Sequence, residues 1–332
     1  MEYSVRTGAL SGFAVLVQEA GLDPQAILAS AGLSLSDLAA AETLLPVSRL
    51  AALLNRAAEE PLLADAGLRL ADRQGLEMLG MLGYQLARRD TLGQAFADVQ
   101  RYMALHNRAE HWRLQIDGGI AAIMRFEHSG LTMDLRHYHE LAMANCCRLM
   151  QVLGGAELRP LRLEFAHRPR LERRIYRQYF ACEVLFDQEQ DRLLVPLEYL
   201  QRPVVCKAEA GAASERFLAQ LLAACEDDLQ LQVSSLIQQM LGTQQHSLEH
   251  IAALMKLQPR TLQRRLEQAG IIYRQLVTDV RMQLACHHLG ASDIDITLLS
   301  AALGYSDVSA FSRAFRSRFG CAPRLWRQQH RA

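Results

Sequence analysis

The chain has 332 residues, of which 50% are hydrophobic and 22% charged, so it is long enough for two globular domains and lacks the composition of a disordered protein. The N-terminus has no basic flank followed by an apolar stretch, and no run of about 18 apolar residues occurs, which predicts a cytoplasmic protein without a membrane span. The 7 cysteines show no Cys-x-x-Cys spacing, which argues against a disulfide framework and against a zinc site.

The formal net charge of zero conceals an uneven distribution along the chain. Residues 229–332 contain 12 basic and 6 acidic side chains and carry a net charge of +6. The remainder, with 24 basic and 30 acidic side chains, carries −6. A basic C-terminal region joined to an acidic N-terminal one is typical of a protein that binds a polyanion at one end.

The first hundred residues predict a series of helices, because apolar residues recur at helical spacing in SGFAVLVQEAG, PVSRLAALLNRAAEE and TLGQAFADVQRYMALH. Next, HWRLQID and GIAAIMRFE, on either side of Gly118 and Gly119, predict a β-hairpin. Helical spacing returns from Leu135 to Leu153 and is closed by Gly154 and Gly155, a common helix stop.

Strands are predicted at LRLEFAH, CEVLF and RLLVP, with a helix from Leu171 to Phe180 between the first two. Helices and short strands are therefore mixed, which indicates an α+β domain over residues 1–205. After Pro203, a linker and a connecting helix are expected within 206–228, with the linker in the Ala/Gly stretch KAEAGAAS at 207–214. Residues 229–332 predict an all-α domain.

The all-α region contains two segments of one design, each with a short helix, a tight turn and a second, basic helix. In the first segment, residues 247–268, the second helix begins at Pro259, a position that tolerates proline, and is buried through Leu262 and Leu266. The predicted packing face of its first helix consists of Leu248, Ile251, Ala252 and Leu254. The outward-facing residues of its second helix are Arg260, Gln263 and Arg264.

The second segment, residues 296–319, repeats this design. Gly304 permits the turn, and Ser306 is in position to cap the second helix. The predicted packing residues are Ile296, Leu299 and Leu303 in the first helix and Phe311, Phe315 and Phe319 in the second. Both segments therefore predict helix-turn-helix units.

Residues 272–290, between the two units, predict one long helix. A helix of about 18 residues spans roughly 27 Å, close to the ~34 Å that separates successive major grooves on one side of DNA. Its apolar residues close to one face are Ile272, Leu276, Val280, Leu284 and Leu289. Such a spacer predicts that one chain contacts two adjacent major-groove segments.

The segment ALGYSDVSAFSRAFRSRFGCAP, followed by Trp326 and Arg327, resembles the C-terminal signature of the AraC/XylS family of transcription regulators. The glycine-aromatic turn, the Phe-x-Arg-x-Phe core and the glycine-x-x-proline ending are in register, and the resemblance runs back through RTLQRRL over about a hundred residues. Ser300, where the family usually has alanine, and Ala322, where serine commonly precedes the proline, are small departures.

The resemblance implies specific DNA contacts. Arginine can pair with guanine, glutamine with adenine, and Val308 can touch a thymine methyl group. The implied base contacts are Arg260, Gln263 and Arg264 in the first unit and Val308, Ser309, Ser312 and Arg313 in the second. The implied phosphate contacts, which position the protein without selecting sequence, are Thr261, Arg316, Arg318, Arg324 and Arg327.

The N-terminal segments LRLEFAHRPR, YRQYFACEVLF and LLVPLEYLQRP resemble the effector-sensing domain of one AraC subgroup, which includes ornithine-utilisation and VirS-like regulators. The resemblance implies a domain that binds a small-molecule effector and dimerises. The expected function is a metabolite-responsive activator that binds double-stranded DNA, contacts RNA polymerase and needs no cofactor.

In the segment RHYHE, Arg136, His137 and His139 are candidates for holding an anionic effector. A metal site with Glu140 is an alternative, but residues two apart on a helix point to different faces. Nearby, Cys146 and Cys147 lie in an apolar helix and are expected in the core rather than as redox-sensing thiols.

Two other functions remain open at this point. A DNA-binding alkyl-transfer repair enzyme would need clustered cysteines, which the N-terminal part lacks, and no phosphate-binding glycine loop, nucleophile elbow or zinc-protease helix is present. A DNA-binding factor without an effector would share the same C-terminal domain and would differ in not binding metabolites.

Overall fold

The structure, a computed structural model, describes residues 3–39, 43–127, 131, 133–206, 229–241, 246–255, 257–291 and 294–330. The chain divides into two compact units; the described residues of the first lie within 3–206, and the main part of the second lies within 229–330. The predicted linker and connecting helix, apart from Cys206, lie outside the described residues. Within the described part, no helix combines the length and the apolar character that crossing a bilayer requires.

The helices predicted for the first hundred residues are confirmed. Asp23 and Thr91 begin two of them, because each side chain accepts a hydrogen bond from a backbone N–H of the first turn. The helices are α1 (Phe13–Glu19), α2 (Pro24–Ser30), α3 (Leu35–Ala39), α4 (Val47–Ala58), α5 (Ala66–Ala71), α6 (Met81–Leu86) and α7 (Leu92–Tyr102). Two short antiparallel strands, β1 (Ser4–Arg6) and β2 (Leu44–Pro46), were not predicted, because three residues are too few for alternation to be visible.

The predicted hairpin is confirmed as β3 (Glu110–Asp117) and β4 (Ile120–Glu127). Gly118 and Gly119 have φ angles of 54° and 88°, the left-handed conformation that a two-residue hairpin turn requires. Three further predicted strands are confirmed as β5 (Arg162–Glu164), β6 (Glu183–Leu185) and β7 (Asp191–Pro196). They complete a five-stranded sheet of order β3-β4-β7-β5-β6, in which β5 and β6 are parallel and are connected through helix α9 (Arg173–Phe180).

Helix α8 (Arg136–Gly154) lies between the helices and the sheet, in contact with α4, α5, α7 and β7. Contacts on several sides bury most of this helix, including polar residues such as His137 and Glu140. A Cβ atom at Gly67 of α5 would come within 2.5 Å of the His137 carbonyl oxygen, so glycine permits the close approach of the two helices. The helix ends at Gly154 and Gly155, as predicted.

A buried network of charges joins three strands of the sheet. Arg125 on β4 is 1% exposed; its Nε donates to Glu110 Oε2 at 2.7 Å and its Nη1 donates to Asp191 Oδ2 at 3.0 Å. Burial by itself lowers the pKa of Arg125, but Glu110 and other nearby groups raise it above its ordinary value. The guanidinium therefore stays charged and balances the carboxylates on β3 and β7.

Arg125→Gln is expected to destabilise the first unit by about 3–5 kcal/mol, because it leaves two buried carboxylates without a counter-charge. Urea unfolding can be followed by the fluorescence of Trp112 in a Trp326→Phe background. The matched control is Arg174→Gln, which removes an ion pair whose partners are 76% and 75% exposed and which should change stability little. Similar losses in the two variants would contradict a structural role for the buried network.

The second unit is helical throughout its described part, as predicted. Its helices are α10 (Leu229–Met240), α11 (Leu248–Leu254), α12 (Pro259–Gln268), α13 (Tyr273–Ala291), α14 (Ile296–Ala302), α15 (Val308–Phe319) and α16 (Pro323–His330). They form two hydrophobic cores, one around α10–α13 and one around α13–α16. The two helix-turn-helix units are therefore α11–α12 and α14–α15.

Helix α13 packs differently from the prediction of one apolar face. Leu276 and Val280 belong to the first core, whereas Met282 and Leu289 belong to the second. Ile272, predicted on the apolar face, precedes the helix and is 72% exposed. The prediction of a single apolar face was wrong because each half of α13 packs against a different helix-turn-helix unit, so the two halves bury different faces of the helix. Leu254, predicted to pack, is also exposed, at the end of α11.

Candidate nucleic-acid interface and ligand cavity

Helix α12 presents one polar face to solvent and one apolar face to the first core. Pro259 is its first residue, and Leu262 and Leu266 are buried, as predicted. Gln263 Nε2 donates to Glu267 Oε1 at 3.1 Å, a contact that has to open before the amide can meet a base. The exposed residues of α12 include all three predicted base contacts of the first helix-turn-helix unit, Arg260, Gln263 and Arg264.

Helix α15 is the equivalent helix of the second helix-turn-helix unit. Its cap is Asp307, whose Oδ1 accepts a hydrogen bond from the Ala310 N–H at 2.7 Å, so the prediction of Ser306 as the cap is wrong. Phe311 and Phe315 are buried and Phe319 is half-buried, so one side of the helix faces the core. The predicted base contacts of α15 are exposed at Ser309 and Arg313 and half-buried at Val308 and Ser312.

The predicted phosphate-contact residues differ in their surroundings. Arg316 and Arg324 are exposed, and Thr261 is half-buried. Arg318, 56% exposed, lies 3.4 Å from Asp279 on α13. Arg327 is half-buried, and its Nη2 donates to the Ile294 carbonyl at 2.6 Å, so it links α16 to the segment before α14. The phosphate contacts remain predictions.

Arg281 of α13 contacts both helix-turn-helix units. Its Nη2 donates to the Gly304 carbonyl at 3.0 Å and lies 2.9 Å from His246 Nε2. Burial and the neighbouring guanidinium lower the pKa of His246, which favours the neutral ring that can accept this hydrogen bond. The guanidinium also lies 4.8 Å from the ring centre of Tyr305. Since His246 precedes α11 and Gly304 and Tyr305 lie between α14 and α15, one side chain links the two units.

The three residues predicted to hold an anionic effector have partners within the first unit. Arg136 Nη2 lies 2.7 Å from Asp134 Oδ2. His137 Nδ1 and His139 Nδ1 each lie 3.4 Å from a carboxylate oxygen, of Glu140 and of Asp191 respectively. Among the described residues, no three His, Cys, Asp or Glu side chains are grouped as a metal site would require. The effector role of Arg136, His137 and His139 remains a prediction.

A different place in the first unit offers room for a ligand. A cavity of about 120 Å³ lies between α7, α8 and the sheet, and Arg136, His137 and His139 do not line it. Helix α8 supplies much of its wall, because residues three or four apart share a helical face. Those residues include Tyr138, Ala142, Asn145, Cys146 and Leu149, and the opposite wall includes Phe96, Val99, Trp112, Ile123 and Val195.

Asn145 carries one of the two buried acceptors that have no hydrogen-bond partner among the described residues of this wall. Gln74 Nε2 donates to the carbonyl oxygens of Ala9 and Ser11, which leaves Gln74 Oε1 as an acceptor for Asn145 Nδ2 at 2.7 Å. This chain of bonds fixes the orientation of the Asn145 amide. Its Oδ1 is buried and has no hydrogen-bond partner in the described part of the chain.

His106 carries the other acceptor. Its ring is hydrogen-bonded to the Met78 carbonyl, and burial, followed by the charge of Arg6, lowers its pKa to about 3. The imidazole is therefore neutral at ordinary pH. The nitrogen that bonds the carbonyl carries the proton, and the buried Nδ1, for which the described residues provide no partner, is an acceptor.

The wall presents no free charge among the described residues. None of its described residues is Arg or Lys, and Glu110 is its one carboxylate. Glu110 Oε2 accepts from Arg125 Nε at 2.7 Å and from the Tyr138 hydroxyl at 3.2 Å, and Oε1 accepts from Trp112 Nε1 at 3.3 Å. Both oxygens are thus occupied, and the charge of Glu110 is balanced by Arg125.

Sequence reasoning did not predict the cavity. The apolar spacing along α8 has the same form whether a face meets other side chains or an open space. Cys147 is buried, as expected, and Cys146 is half-buried at the cavity wall. Burial raises the pKa of Cys146 to about 12, so its thiol stays protonated and does not have the reactivity of a redox sensor.

Two family models match the chain. The arabinose-binding domain of AraC transcription regulators, an N-terminal domain, matches residues 21–204, which is more than half of the chain. A helix-turn-helix domain matches residues 251–329. The chain belongs to the AraC family of transcription regulators. As an AraC regulator, it is a sequence-specific DNA-binding protein with a separate effector-binding domain, which confirms the expected family and the expected role as a DNA-binding transcription regulator.

Similar AraC-family proteins span nearly the same length. The HTH-type transcriptional regulator VirS of Mycobacterium tuberculosis (strain CDC 1551 / Oshkosh) is 29% identical over 329 residues, covering 97% of this chain and 96% of VirS. The ornithine utilization regulator of Pseudomonas aeruginosa is 29% identical over 267 residues, covering 79% of this chain and 78% of that protein. The crystal structure of the transcriptional regulator CdpR from Pseudomonas aeruginosa aligns with a TM-score of 0.39 at 21% identity, covering 79% of this chain and 86% of CdpR.

Arg281→Gln is expected to weaken binding of this AraC regulator to DNA that contains both major-groove sites by about tenfold to a hundredfold, because hydrogen bonds from a charged group contribute about 1.5–3 kcal/mol. DNA with one site randomised should lose much less, since a single unit can still dock. Fluorescence anisotropy with full-length protein and a duplex selected from a random pool measures both. Arg274→Gln, an exposed arginine on the same helix, is the control. Equal losses on the two duplexes would contradict a role of Arg281 in holding the units together.

Proposed function

We propose that this AraC-family protein is a metabolite-responsive transcription activator that acts as a homodimer in the cytoplasm. The first unit binds a small effector and carries the dimer contact, and each second unit binds one DNA half-site and contacts RNA polymerase at a promoter. The observation that carries the DNA-binding part is that Arg260, Arg264 and Arg313 are exposed on two helices whose other faces are buried in adjoining cores.

The second helix of each helix-turn-helix unit, α12 or α15, is assigned to the major groove. Arg260 and Arg264 can each pair with both acceptors of a guanine, and Gln263 with an adenine. In α15, Ser309 and Arg313 are the most exposed candidates, while Val308 and Ser312, at the margin of the core, would contact a base through the part of each side chain that faces outward. Phosphate contacts are assigned to Thr261, Arg316, Arg318, Arg324 and Arg327.

Effector control requires that the ligand bind two conformations of the protein unequally. The cavity between α7, α8 and the sheet is the best-supported place for the effector, since it is lined mainly by apolar side chains and its wall contains unpaired acceptors. Its position in the unit that matches the effector-binding family model supports a sensing role. The similar proteins reported above are transcription regulators, which supports a function without catalysis.

Arg264→Ala and Arg313→Ala are each expected to lose about 1–3 kcal/mol of affinity at the selected duplex and to relax base preference. Arg324→Ala should weaken binding to all duplexes alike and reduce the salt dependence, because it removes a phosphate contact. Anisotropy titrations over a range of salt concentrations, on selected and random DNA, distinguish the two classes.

The matched control for these variants is Arg265→Ala, which removes an exposed arginine of α12 that lies about 100° around the helix from Arg264. It should keep the base preference. If Arg264→Ala, Arg313→Ala and Arg324→Ala lost affinity equally on random DNA, the division into base and phosphate contacts would be refuted.

Ala142→Trp is expected to fill the cavity and uncouple transcription from the effector, without weakening binding to the selected duplex. The measurement is reporter output from a promoter that the protein occupies in cells, over growth conditions that change the output of the unaltered protein. Ala97→Trp, at an exposed position of α7, is the control and should respond normally. A normal response of Ala142→Trp would instead favour a DNA-binding factor that uses no effector in this cavity.

A further inference from the structure

We propose that the cavity of the first unit binds a neutral, mainly apolar molecule about the size of one six-membered ring, which donates hydrogen bonds to Asn145 and His106. This inference rests on the proposed effector role of the cavity and adds the chemical class of the ligand. It excludes sugars, carboxylates and free amino acids as ligands of this site.

The volume limits the size of the ligand. Pockets for drug-sized molecules measure roughly 300–1,000 Å³, whereas apolar cavities of about 150 Å³ bind benzene. The cavity between α7, α8 and the sheet, at about 120 Å³, belongs with the smaller class. A single ring with one small substituent therefore matches the available space.

The charges of the wall exclude an ionised ligand. A carboxylate or an ammonium group that enters an apolar cavity loses its hydration and needs a counter-charge. No arginine or lysine is found among the described residues of the wall, so a carboxylate has no partner. The carboxylate of Glu110 is already balanced by Arg125 and accepts hydrogen bonds on both oxygens, so an ammonium group gains little there.

The hydrogen-bonding groups of the wall favour a ligand that donates. Asn107 Nδ2 donates to the Tyr138 hydroxyl at 2.7 Å, that hydroxyl donates to Glu110, and Trp112 Nε1 donates to Glu110 as well. These donors are therefore engaged within the protein. Among the buried polar atoms of the described wall residues, the two without a hydrogen-bond partner are acceptors, Asn145 Oδ1 and His106 Nδ1.

A sugar does not match this arrangement. Each of its several hydroxyl groups needs a partner, and a buried polar group without one costs about 1–3 kcal/mol. Two acceptors in an apolar wall satisfy one or two donors and leave the remaining hydroxyls unpaired. A ring with a single hydroxyl group can be satisfied completely.

Phenol and toluene test the inference, because they have nearly the same shape and differ in one hydroxyl group. Calorimetric titration of the full-length protein is expected to show phenol binding about fivefold more tightly than toluene, as one hydrogen bond of about 1 kcal/mol implies. Benzoate, L-arabinose and L-ornithine should show no binding at tenfold higher concentrations. Equal affinities for phenol and toluene would overturn the role of the acceptors, and binding of benzoate or arabinose as tight as that of phenol would overturn the ligand class.

Asn145→Leu removes one acceptor and keeps a similar volume, so it should reduce the preference for phenol over toluene. Asn55→Leu is the control, since Asn55 does not line the cavity and donates to the Asp134 carbonyl elsewhere in the unit. An unchanged preference in a folded Asn145→Leu variant would overturn the contact with Asn145. If that variant does not fold, the comparison of the five probes on the unaltered protein still decides the ligand class.

The same probes separate this inference from the proposed effector role. Phenol binding that Ala142→Trp abolishes, while phenol added to cells leaves the reporter output unchanged, would support the ligand class and contradict the effector role. Arabinose or benzoate binding that Ala142→Trp abolishes, together with a change in reporter output when that compound is added to cells, would overturn the ligand class and support the effector role. Failure of every probe to bind at millimolar concentration would overturn the ligand class.

Discussion

Helix α13 is buried in two hydrophobic cores at once, and this double packing fixes how the two helix-turn-helix units lie relative to each other. Leu276 and Val280 pack in the first core, and Met282 and Leu289 pack in the second. Burying one such side chain contributes about 1.5–3 kcal/mol, so moving either unit away from α13 would cost several of these contributions. Arg281 adds a polar link at the junction. Helix α13 is thus a shared structural element rather than a passive spacer. Packing on this helix sets the distance between the exposed faces of α12 and α15.

In the first unit, an apolar cavity lies beside strands that carry buried charged residues. Glu110 would be a poor wall for an apolar ligand if its charge were free. Because Arg125 pairs with both Glu110 and Asp191, the charges lie within the sheet and the cavity meets a neutral surface. The same pairs join β3, β4 and β7, so the stability of the sheet and the chemistry of the cavity depend on one guanidinium.

The sequence was sufficient for the features that repeat along the chain and insufficient for those that depend on distant contacts. Helical periodicity and the glycine pair of the hairpin predicted most of the fold, and the apolar residues of α12 and α15 predicted which faces are exposed. Periodicity could not show that α13 buries two faces, so Ile272 was misassigned. Ser306 and Asp307 are both good capping residues, and only the backbone geometry decides for Asp307. The cavity was missed because its wall residues have the composition of an ordinary core, and the two unpaired acceptors, on Asn145 and His106, come from segments about forty residues apart.

A ligand of one-ring size can control this regulator only if the cavity differs strongly between two states of the first unit. Shifting an equilibrium from 1:99 to 99:1 needs a difference in binding free energy of about 5.5 kcal/mol. Small ligands contribute at most about 1.5 kcal/mol per non-hydrogen atom, so a ligand of about seven such atoms is limited to about 10 kcal/mol. More than half of that maximum has to be absent in the other state, which requires the cavity to close there rather than change shape slightly. Helix α8 forms much of the wall and also packs on α4, α5 and β7, whereas α7 supplies the facing side chains of Phe96 and Val99, so closure of the cavity would have to move α8 or α7.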